Sequence, residues 1–281
     1  MTPGNPTARQ RSRRRRVAQV LLIVLAATVV WYGLAWLRRT PAAQPLAVIA
    51  HRGGPAGSDA PEGTVAAFEA SIEAGADWLE FDVRRTADGV LIVLHDDTVD
   101  RTTSGSGPIT ALTLAEAQAL DAGGGARIPT VAAIVDLAKE ADIPILPEIK
   151  DGLENPGLTA QLVDLLRAKG YLDDSVIQAF EPATLEELRR LAPDAKACWL
   201  TGIWQFDIST PPADAAYVCP MAEMVLLNPD MVRQAHEAGR KVFAWWAAAE
   251  TGITDEILEM YGVDGLIVDH ITPIVNRGTG S

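Results

Sequence analysis

Short apolar runs alternate with amphipathic segments along most of the chain. A run of three to seven apolar residues has the length of a strand buried on both faces, and the segments between the runs have helical spacing. The predicted strands are Leu46–Ala50, Trp78–Arg84, Ile145–Ile149, Val176–Phe180, Lys196–Leu200, Tyr217–Cys219, Val242–Trp246 and Leu266–Val268. Eight strand–helix units in residues 46–281 predict a TIM (β/α)8 barrel, since that fold takes about 250 residues.

One predicted strand, Val90–Leu94, does not belong to the eight. It follows the turn-forming residues 86–89 and is assigned to a small insertion after strand 2, over about residues 86–142. A doubly wound open sheet is the alternative architecture. Such a sheet usually carries a Gly-rich dinucleotide fingerprint, and the sequence contains none, so the barrel is expected.

The N-terminal region contains an apolar segment of membrane-spanning length. Residues 17–37 include Gln19 as their one strongly polar member, and a basic stretch, residues 1–16, precedes them. By the positive-inside rule we expect a cell-membrane protein with a single transmembrane anchor, a cytoplasmic N-terminus and the barrel outside, joined by a linker at 38–45. A cleaved signal peptide is the alternative, although residues 40–42 form a weak cleavage site.

The charge of the chain is strongly asymmetric. Eight arginines lie in residues 1–40, which leaves 16 basic against 37 acidic residues in the remainder, a net charge of about −21. Binding of nucleic acid through the general surface is excluded on this ground, and an anionic substrate must be captured locally. Cys198 and Cys219 could pair in an oxidising compartment, but two buried free thiols are the default expectation.

The predicted strand Trp78–Arg84 carries two carboxylates. Because side chains alternate along a strand, Glu80 and Asp82 share a face with Trp78, and the apolar side chains Leu79, Phe81 and Val83 share the other. An apolar outer face indicates covering helices, while two buried charges on the inner face are unfavourable unless a cation compensates them. The strand therefore predicts half of a metal site.

Other polar residues lie at the ends of the predicted strands, where a TIM barrel has its active site. They are His51, Arg52, Glu80, Asp82, His95, Glu148, Lys150, Asp269 and His270. Glu80, Asp82 and Glu148 offer oxygen ligands, which predict one Mg²⁺ or Ca²⁺ ion; a structural Glu148–Lys150 ion pair is the alternative. His51 and His95 are candidates for acid–base catalysis, and Arg52 and Lys150 for phosphate binding.

Short motifs extend this pattern over residues 47–272. In chain order they are His51–Gly54, Pro61–Thr64, Ala67–Phe68, Gly75–Asp77, Leu79–Val83, His95–Thr98, Asp100–Thr103, Ile128–Thr130, Pro147–Lys150 and Gly262–Gly265. Their order and content resemble the glycerophosphodiester phosphodiesterase family. The resemblance implies a TIM barrel that hydrolyses glycerophosphodiesters to glycerol 3-phosphate and an alcohol.

The resemblance also implies roles for individual residues. Glu80, Asp82 and Glu148 would bind the cation, with His51 and His95 as the acid–base pair. Arg52 and Lys150 would hold phosphate with Glu62 nearby, and Phe180 and Trp245 would line the glycerol pocket.

The sequence departs from the family pattern at three places, and the pocket becomes less polar. Ala179 replaces a common Ser, residues 246–248 (Trp-Ala-Ala) replace Thr, Val and Asn, and Gly63 replaces Asn. The preferred alcohol therefore stays open. A lysophospholipase D acting on membrane lysophospholipids is the first alternative function, and a non-enzymatic binder of lipid headgroups is the second.

Overall fold

The computed structural model describes residues 8–38, 45–54, 59–150, 152, 154–248 and 250–271. The chain divides into two compact units, residues 1–39 and residues 40–281. The predicted linker lies largely outside the described residues.

The first unit is one helix, α1 (Ala8–Arg38). Its segment Arg16–Leu34 spans 19 residues with a mean hydropathy of 2.2, and none of the segment is buried. By length and composition this helix suits a membrane span, and a signal sequence has the same properties. One apolar helix near the N-terminus is thus confirmed.

The described residues of the second unit form nine strands, and those predicted from the sequence are all present among them. They are β1 (Ala47–Ala50), β2 (Trp78–Arg85), β3 (Leu91–Val93), β4 (Ile145–Ile149), β5 (Val176–Ala179), β6 (Lys196–Thr201), β7 (Tyr217–Pro220), β8 (Lys241–Trp245) and β9 (Gly265–Val268). Its helices are α2 (Val65–Glu73), α3 (Leu114–Ala119), α4 (Val131–Glu140), α5 (Leu158–Lys169), α6 (Pro182–Leu191), α7 (Ala222–Leu227), α8 (Asp230–Glu237) and α9 (Gly252–Met260).

Eight of the strands close into a parallel barrel. The order β1-β9-β8-β7-β6-β5-β4-β2 is completed by the pairing of β1 with β2, while β3 lies antiparallel to β2. This confirms the barrel and excludes the open sheet. Since all eight strands run the same way, their carboxyl ends form a single mouth.

The barrel interior and its outer layer are separate apolar clusters. The interior cluster is formed by Ile49, Leu146, Val176, Cys198, Leu200, Cys219, Phe243 and Ile267, with Trp78, Tyr217 and Trp245 packed against it. The outer cluster includes Leu79, Phe81 and Val83, all fully buried under the helices. The alternation predicted for β2 is therefore confirmed, and it turns Glu80 and Asp82 inward.

The segment after β2 contributes His95 to the mouth and has a small core of its own. Ile92, Leu94, Val99, Ile109, Ala117 and Ile128 form this core. Thr113 and Glu116 make the capping box that starts α3. Helix α4, at the end of the segment, contacts both α2 and α5, so it lies in the ring of outer helices.

One local expectation was wrong. Cys198 and Cys219 are not free thiols but form a disulfide, with their Cα atoms 6.2 Å apart. Because β6 and β7 are neighbours with Leu200 opposite Cys219, the two cysteines lie on adjacent strands inside the barrel.

Candidate active site

Three carboxylates meet at the mouth of the barrel. Glu80 and Asp82 come from β2 and Glu148 from β4, where Asp82 and Glu148 are direct partners in the parallel register. One oxygen from each lies within 4.8 Å of the others, and all three residues are buried. The cluster predicted from strand alternation is thus assembled by the pairing of two strands.

The carboxylates repel one another because water does not screen them. Burial and then the charge of Asp82 raise the pKa of Glu80 to about 7 and that of Glu148 to about 8. Burial also opposes ionisation of Asp82, but Lys150 and His95 outweigh it and hold the pKa of Asp82 below its ordinary value. A cluster of oxygen donors that resists full ionisation fits a hard divalent cation, which would remove the repulsion.

Two basic side chains approach the carboxylates. The Nζ atom of Lys150 lies 2.6 Å from Oε1 of Glu148 and 3.1 Å from Oδ1 of Asp82. The Glu148–Lys150 ion pair considered from the sequence is therefore present, and Lys150 bridges to Asp82 as well. The guanidinium of Arg52 lies 3.6 Å from Asp82 and 3.4 Å from Glu62, while its backbone N–H donates to Glu80 over 2.9 Å.

His51 follows β1 and is held by Asp269, which follows β9. The Nδ1 atom of His51 lies 2.8 Å from Oδ1 of Asp269. Because an ionised carboxylate only accepts, Nδ1 carries the proton and Nε2 is left free for chemistry. Burial lowers the pKa of His51, but the bond to Asp269 and the charge of Glu80 outweigh burial and raise it above its ordinary value.

His95 follows β3 and is held by a longer chain of contacts. Its Nδ1 atom lies 2.7 Å from Oδ1 of Asp96. Arg101 donates to Asp96 over 2.7 Å and to both carboxylate oxygens of Glu62 over 2.7 and 2.8 Å. Burial, helped by the charge of Lys150, holds the pKa of His95 below its ordinary value despite the attraction of Asp82. The pKa values of the two histidines are therefore shifted in opposite directions, that of His51 upward and that of His95 downward.

The mouth also has an apolar side. Phe180, directly after β5, and Trp245, at the end of β8, are in edge-to-face contact at 5.7 Å, and Nε1 of Trp245 donates to the carbonyl of Thr201 over 3.2 Å. Leu200 and Trp246 continue this wall. Together with His51, Arg52, Glu80, His95, Glu148, Lys150, Gln178 and Asp269 these residues line a cavity of about 370 Å³.

The residues predicted to act in the site lie at this mouth, and Asp96, Arg101 and Gln178 join them. Asp96 holds His95, and Arg101 holds Asp96 and Glu62. The position of Asp96 directly after His95 was an available signal. Asp269, singled out as polar at a strand end but given no role, holds His51, whereas its neighbour His270 is exposed and does not line the cavity. Gln178 donates from Nε2 to Oε1 of Glu80 over 3.0 Å, and only the Glu148–Gln178 register reveals it.

His236, which has no catalytic position, is a structural residue. Its Nε2 atom lies 2.9 Å from a carboxylate oxygen of Asp264, which precedes β9 at the end of the strand opposite the mouth. The same carboxylate oxygen accepts from the backbone N–H of Val242 over 2.7 Å.

The chain is similar in sequence to known phosphodiesterases. Residues 51–272 match the glycerophosphoryl diester phosphodiesterase family. A glycerophosphodiester phosphodiesterase of Caldanaerobacter subterraneus is 33% identical, over 82% of this chain and 96% of its own length. A putative glycerophosphodiester phosphodiesterase of Bacillus subtilis is 32% identical, over 82% and 97%.

A solved structure agrees in fold. The structure of an Oleispira antarctica phosphodiesterase in complex with the product sn-glycerol-3-phosphate is 25% identical, with a TM-score of 0.73, and the match covers 88% of this chain and 99% of that one.

A barrel with buried acids, two held histidines and basic side chains at its mouth defines a TIM-barrel hydrolase. The chain belongs to the glycerophosphoryl diester phosphodiesterase family. As an enzyme it is a phosphoric diester hydrolase of the glycerophosphodiester phosphodiesterase type.

Proposed function

We propose that this enzyme hydrolyses glycerophosphodiesters to glycerol 3-phosphate and an alcohol by histidine acid–base catalysis that depends on one divalent cation. The observation that carries the proposal is the cluster of Glu80, Asp82 and Glu148 at the same cavity as His51 and His95. Neither a purely structural acid cluster nor a passive binding site requires two histidines, each oriented by its own aspartate.

The cation would be held by Glu80, Asp82 and Glu148, and Mg²⁺ and Ca²⁺ both suit three carboxylates. When bound, it neutralises phosphate oxygens and lowers the pKa of the attacking hydroxyl. Arg52 and Lys150 supply further positive charge to the substrate phosphate, since both line the cavity. The edge-to-face pair of Phe180 and Trp245 positions the glycerol group against an apolar surface.

The two histidines take different parts in the reaction. His95, with its depressed pKa, is neutral and accepts the proton of the nucleophile. The nucleophile is water, or a substrate hydroxyl that forms a cyclic phosphate which water then opens to glycerol 3-phosphate. His51 retains its proton more firmly because Asp269 stabilises the imidazolium, so its Nε2 proton goes to the leaving oxygen. Arg101 keeps Asp96 and Glu62 in place and thereby orients His95.

The substitution Glu80→Gln tests the cation site while keeping the shape of the side chain. We expect turnover of glycerophosphocholine to fall by at least about a thousandfold, since the cation contributes several kcal/mol to the transition state. The thermal midpoint should not fall, because a repelling buried acid is removed. Glu69→Gln, the same change on the exposed face of α2, is the matched control and should leave turnover intact.

Chelation completes this experiment. EDTA should abolish turnover of the unaltered enzyme, and a panel of phosphodiesters assayed with Mg²⁺ or Ca²⁺ restored should identify the preferred metal and alcohol. Full turnover of glycerophosphocholine after chelation contradicts the cation site. Binding without any metal-dependent product release would instead indicate the headgroup binder.

A second candidate, lysophospholipase D activity, is supported by the apolar wall formed by Phe180, Leu200, Trp245 and Trp246. A lysophospholipid contains the same phosphodiester, with an acyl chain on its glycerol. Rates on glycerophosphocholine and lysophosphatidylcholine separate the two activities.

For localisation we propose that α1 is an uncleaved single-pass anchor with the N-terminus in the cytoplasm and the barrel outside. The arginines before the apolar segment support this orientation, and the Cys198–Cys219 disulfide supports an oxidising compartment. Protease added to sealed, right-side-out membrane vesicles should digest the barrel; full protection contradicts the orientation.

A further inference from the structure

Three large apolar side chains on the barrel are unusually exposed. Ile203, Trp204 and Ile253 are 64, 70 and 72% exposed, the highest values for large apolar residues among the described residues 45–271. Ile203 and Trp204 follow the carboxyl end of β6, and Ile253 lies at the start of α9, after β8. All three therefore follow the carboxyl ends of strands, on the catalytic face of the barrel.

The exposed residues after β6 follow closely along the chain from the apolar wall of the cavity. Leu200, near the end of β6, lines the cavity, and the next residue, Thr201, accepts the hydrogen bond of Trp245. From Thr201 to Trp204 the chain advances at most about 11 Å, since consecutive Cα atoms are 3.8 Å apart. The backbone N–H of Trp204 lies 3.1 Å from Sδ of Met224, which fixes the loop to α7.

Residues 202–206, called the rim below, contain no charged side chain. The rim therefore has no charge with which to bind a phosphate or a charged headgroup, and it suits an apolar ligand. Trp204 packs edge to face with Phe206 at 6.3 Å, and this gives the loop two adjoining aromatic rings. A protein partner or a second copy seated here would cover the entrance to the cavity, whereas the apolar part of a substrate would enter with it.

We infer that Ile203 and Trp204 form a binding site for the acyl chain of a lysophospholipid whose phosphodiester occupies the cavity. The inference rests on the proposed function and names its substrate class. The acyl chain leaves the glycerol group along Phe180 and Trp245, passes Leu200 and lies on the exposed rim. Burial of each methylene against the rim favours longer chains.

The test uses the full chain reconstituted in detergent-free lipid vesicles. The substrates are monomeric and differ only in the length of the acyl chain. Glycerophosphocholine and its butanoyl, hexanoyl and octanoyl monoesters are assayed below their micelle concentrations. In the unaltered enzyme kcat/KM should rise at least about tenfold from the butanoyl to the octanoyl ester, since each buried methylene favours binding by up to about fourfold.

The double substitution Ile203→Ser and Trp204→Ser should remove most of this rise and leave the rate on glycerophosphocholine unchanged. That unchanged rate also shows that the variant is folded. Met260→Ser is the matched control, because Met260 is 50% exposed at the far end of α9, away from the mouth. It should retain the full dependence on chain length.

The outcomes separate the inference from the function on which it rests. If glycerophosphocholine is hydrolysed but longer chains give no advantage, the acyl site is overturned and the proposed function stands. If the advantage survives the double substitution, the acyl chain does not lie on this rim. If the unaltered enzyme hydrolyses neither substrate class with Mg²⁺ or Ca²⁺, the proposed function itself fails.

Discussion

The two sides of the barrel mouth are built on different physical principles. On the side of β1 to β4, charged groups hold one another: His51 with Asp269, His95 with Asp96, and Lys150 with two carboxylates. On the side of β5 to β8 the wall consists mainly of the aromatic and aliphatic side chains Phe180, Leu200, Trp245 and Trp246.

The two sides of the mouth therefore have different tasks: the charged side carries out the reaction, and the apolar side determines which substrates bind. The charged side fixes proton positions and resists change, because removing one member leaves its partner as an uncompensated charge in a poorly hydrated site. The apolar side contributes contact area, which changes gradually with the size of a side chain. Substitutions on the charged side should therefore affect the reaction of every substrate whose leaving alcohol needs a proton, whereas those on the apolar side should change the preference for one such substrate over another.

The largest effect is expected from the histidines. His51→Gln should reduce turnover of glycerophosphocholine by about 10²–10⁴-fold, because the leaving oxygen loses its proton donor. The loss should shrink strongly with the 4-nitrophenyl ester of glycerol 3-phosphate, whose leaving group needs no proton. His95→Gln should lose activity on both substrates, since the nucleophile still needs a base.

The ratio of the two rates is the measurement that decides this assignment. His236→Gln, at the structural histidine bonded to Asp264, is the control and should not alter the ratio. If the nitrophenyl ester rescues the His95 variant and not the His51 variant, the acid and the base are exchanged.

A smaller effect is expected on the apolar side. Trp245→Ala should raise KM for glycerophosphocholine about tenfold with a lesser change in kcat, because the ring provides binding that substrate and transition state share. Trp245→Phe retains a ring and should lose less. Steady-state kinetics of both variants test the expected rise in KM. A fall in kcat with unchanged KM would instead show that Trp245 acts in the chemical step and not in substrate binding.

The smallest effect is a shift of the pH profile without a large loss of rate. Activity should rise as His95 loses its proton, at a pH below the ordinary histidine range, and fall as His51 loses its proton, at a pH above that range. Asp269→Asn removes the anion that stabilises the His51 imidazolium and lowers the pKa of His51, so the alkaline limb should move to lower pH.

Comparison with a second variant locates this effect. Asp96→Asn should move the acidic limb instead, because Asp96 contacts His95 and not His51. Profiles of kcat/KM against pH at saturating metal measure both limbs. A shift of the acidic limb in the Asp269 variant would contradict the assignment of His51 as the acid.

The charged side of the mouth is the part of the site that the sequence predicts best. Carboxylates within apolar strands are conspicuous because burial penalises them, and strand alternation is sufficient to place Glu80 and Asp82 on one face. The partners of the histidines were harder to identify. Asp269 lies 218 residues from His51 along the chain, and only closure of the barrel between β1 and β9 brings them within 2.8 Å.

The apolar side and the disulfide were less accessible from the sequence. The sequence does not distinguish the exposed Trp204 from the partly buried Trp78, and only the fold shows that Trp204 lies after β6 at the mouth whereas Trp78 packs against the interior of the barrel. For Cys198 and Cys219, pairing depends on the register between β6 and β7, which no local pattern specifies.

The sequence by itself determined the alternation of strands and helices, the inward direction of the carboxylates and the apolar N-terminal helix, because these depend on local periodicity and the cost of burying charge. The tertiary structure decided which oxygen holds which histidine, how the cysteines pair and where the apolar wall reaches solvent. These features depend on distances between residues far apart in the chain, and only the closed barrel sets those distances.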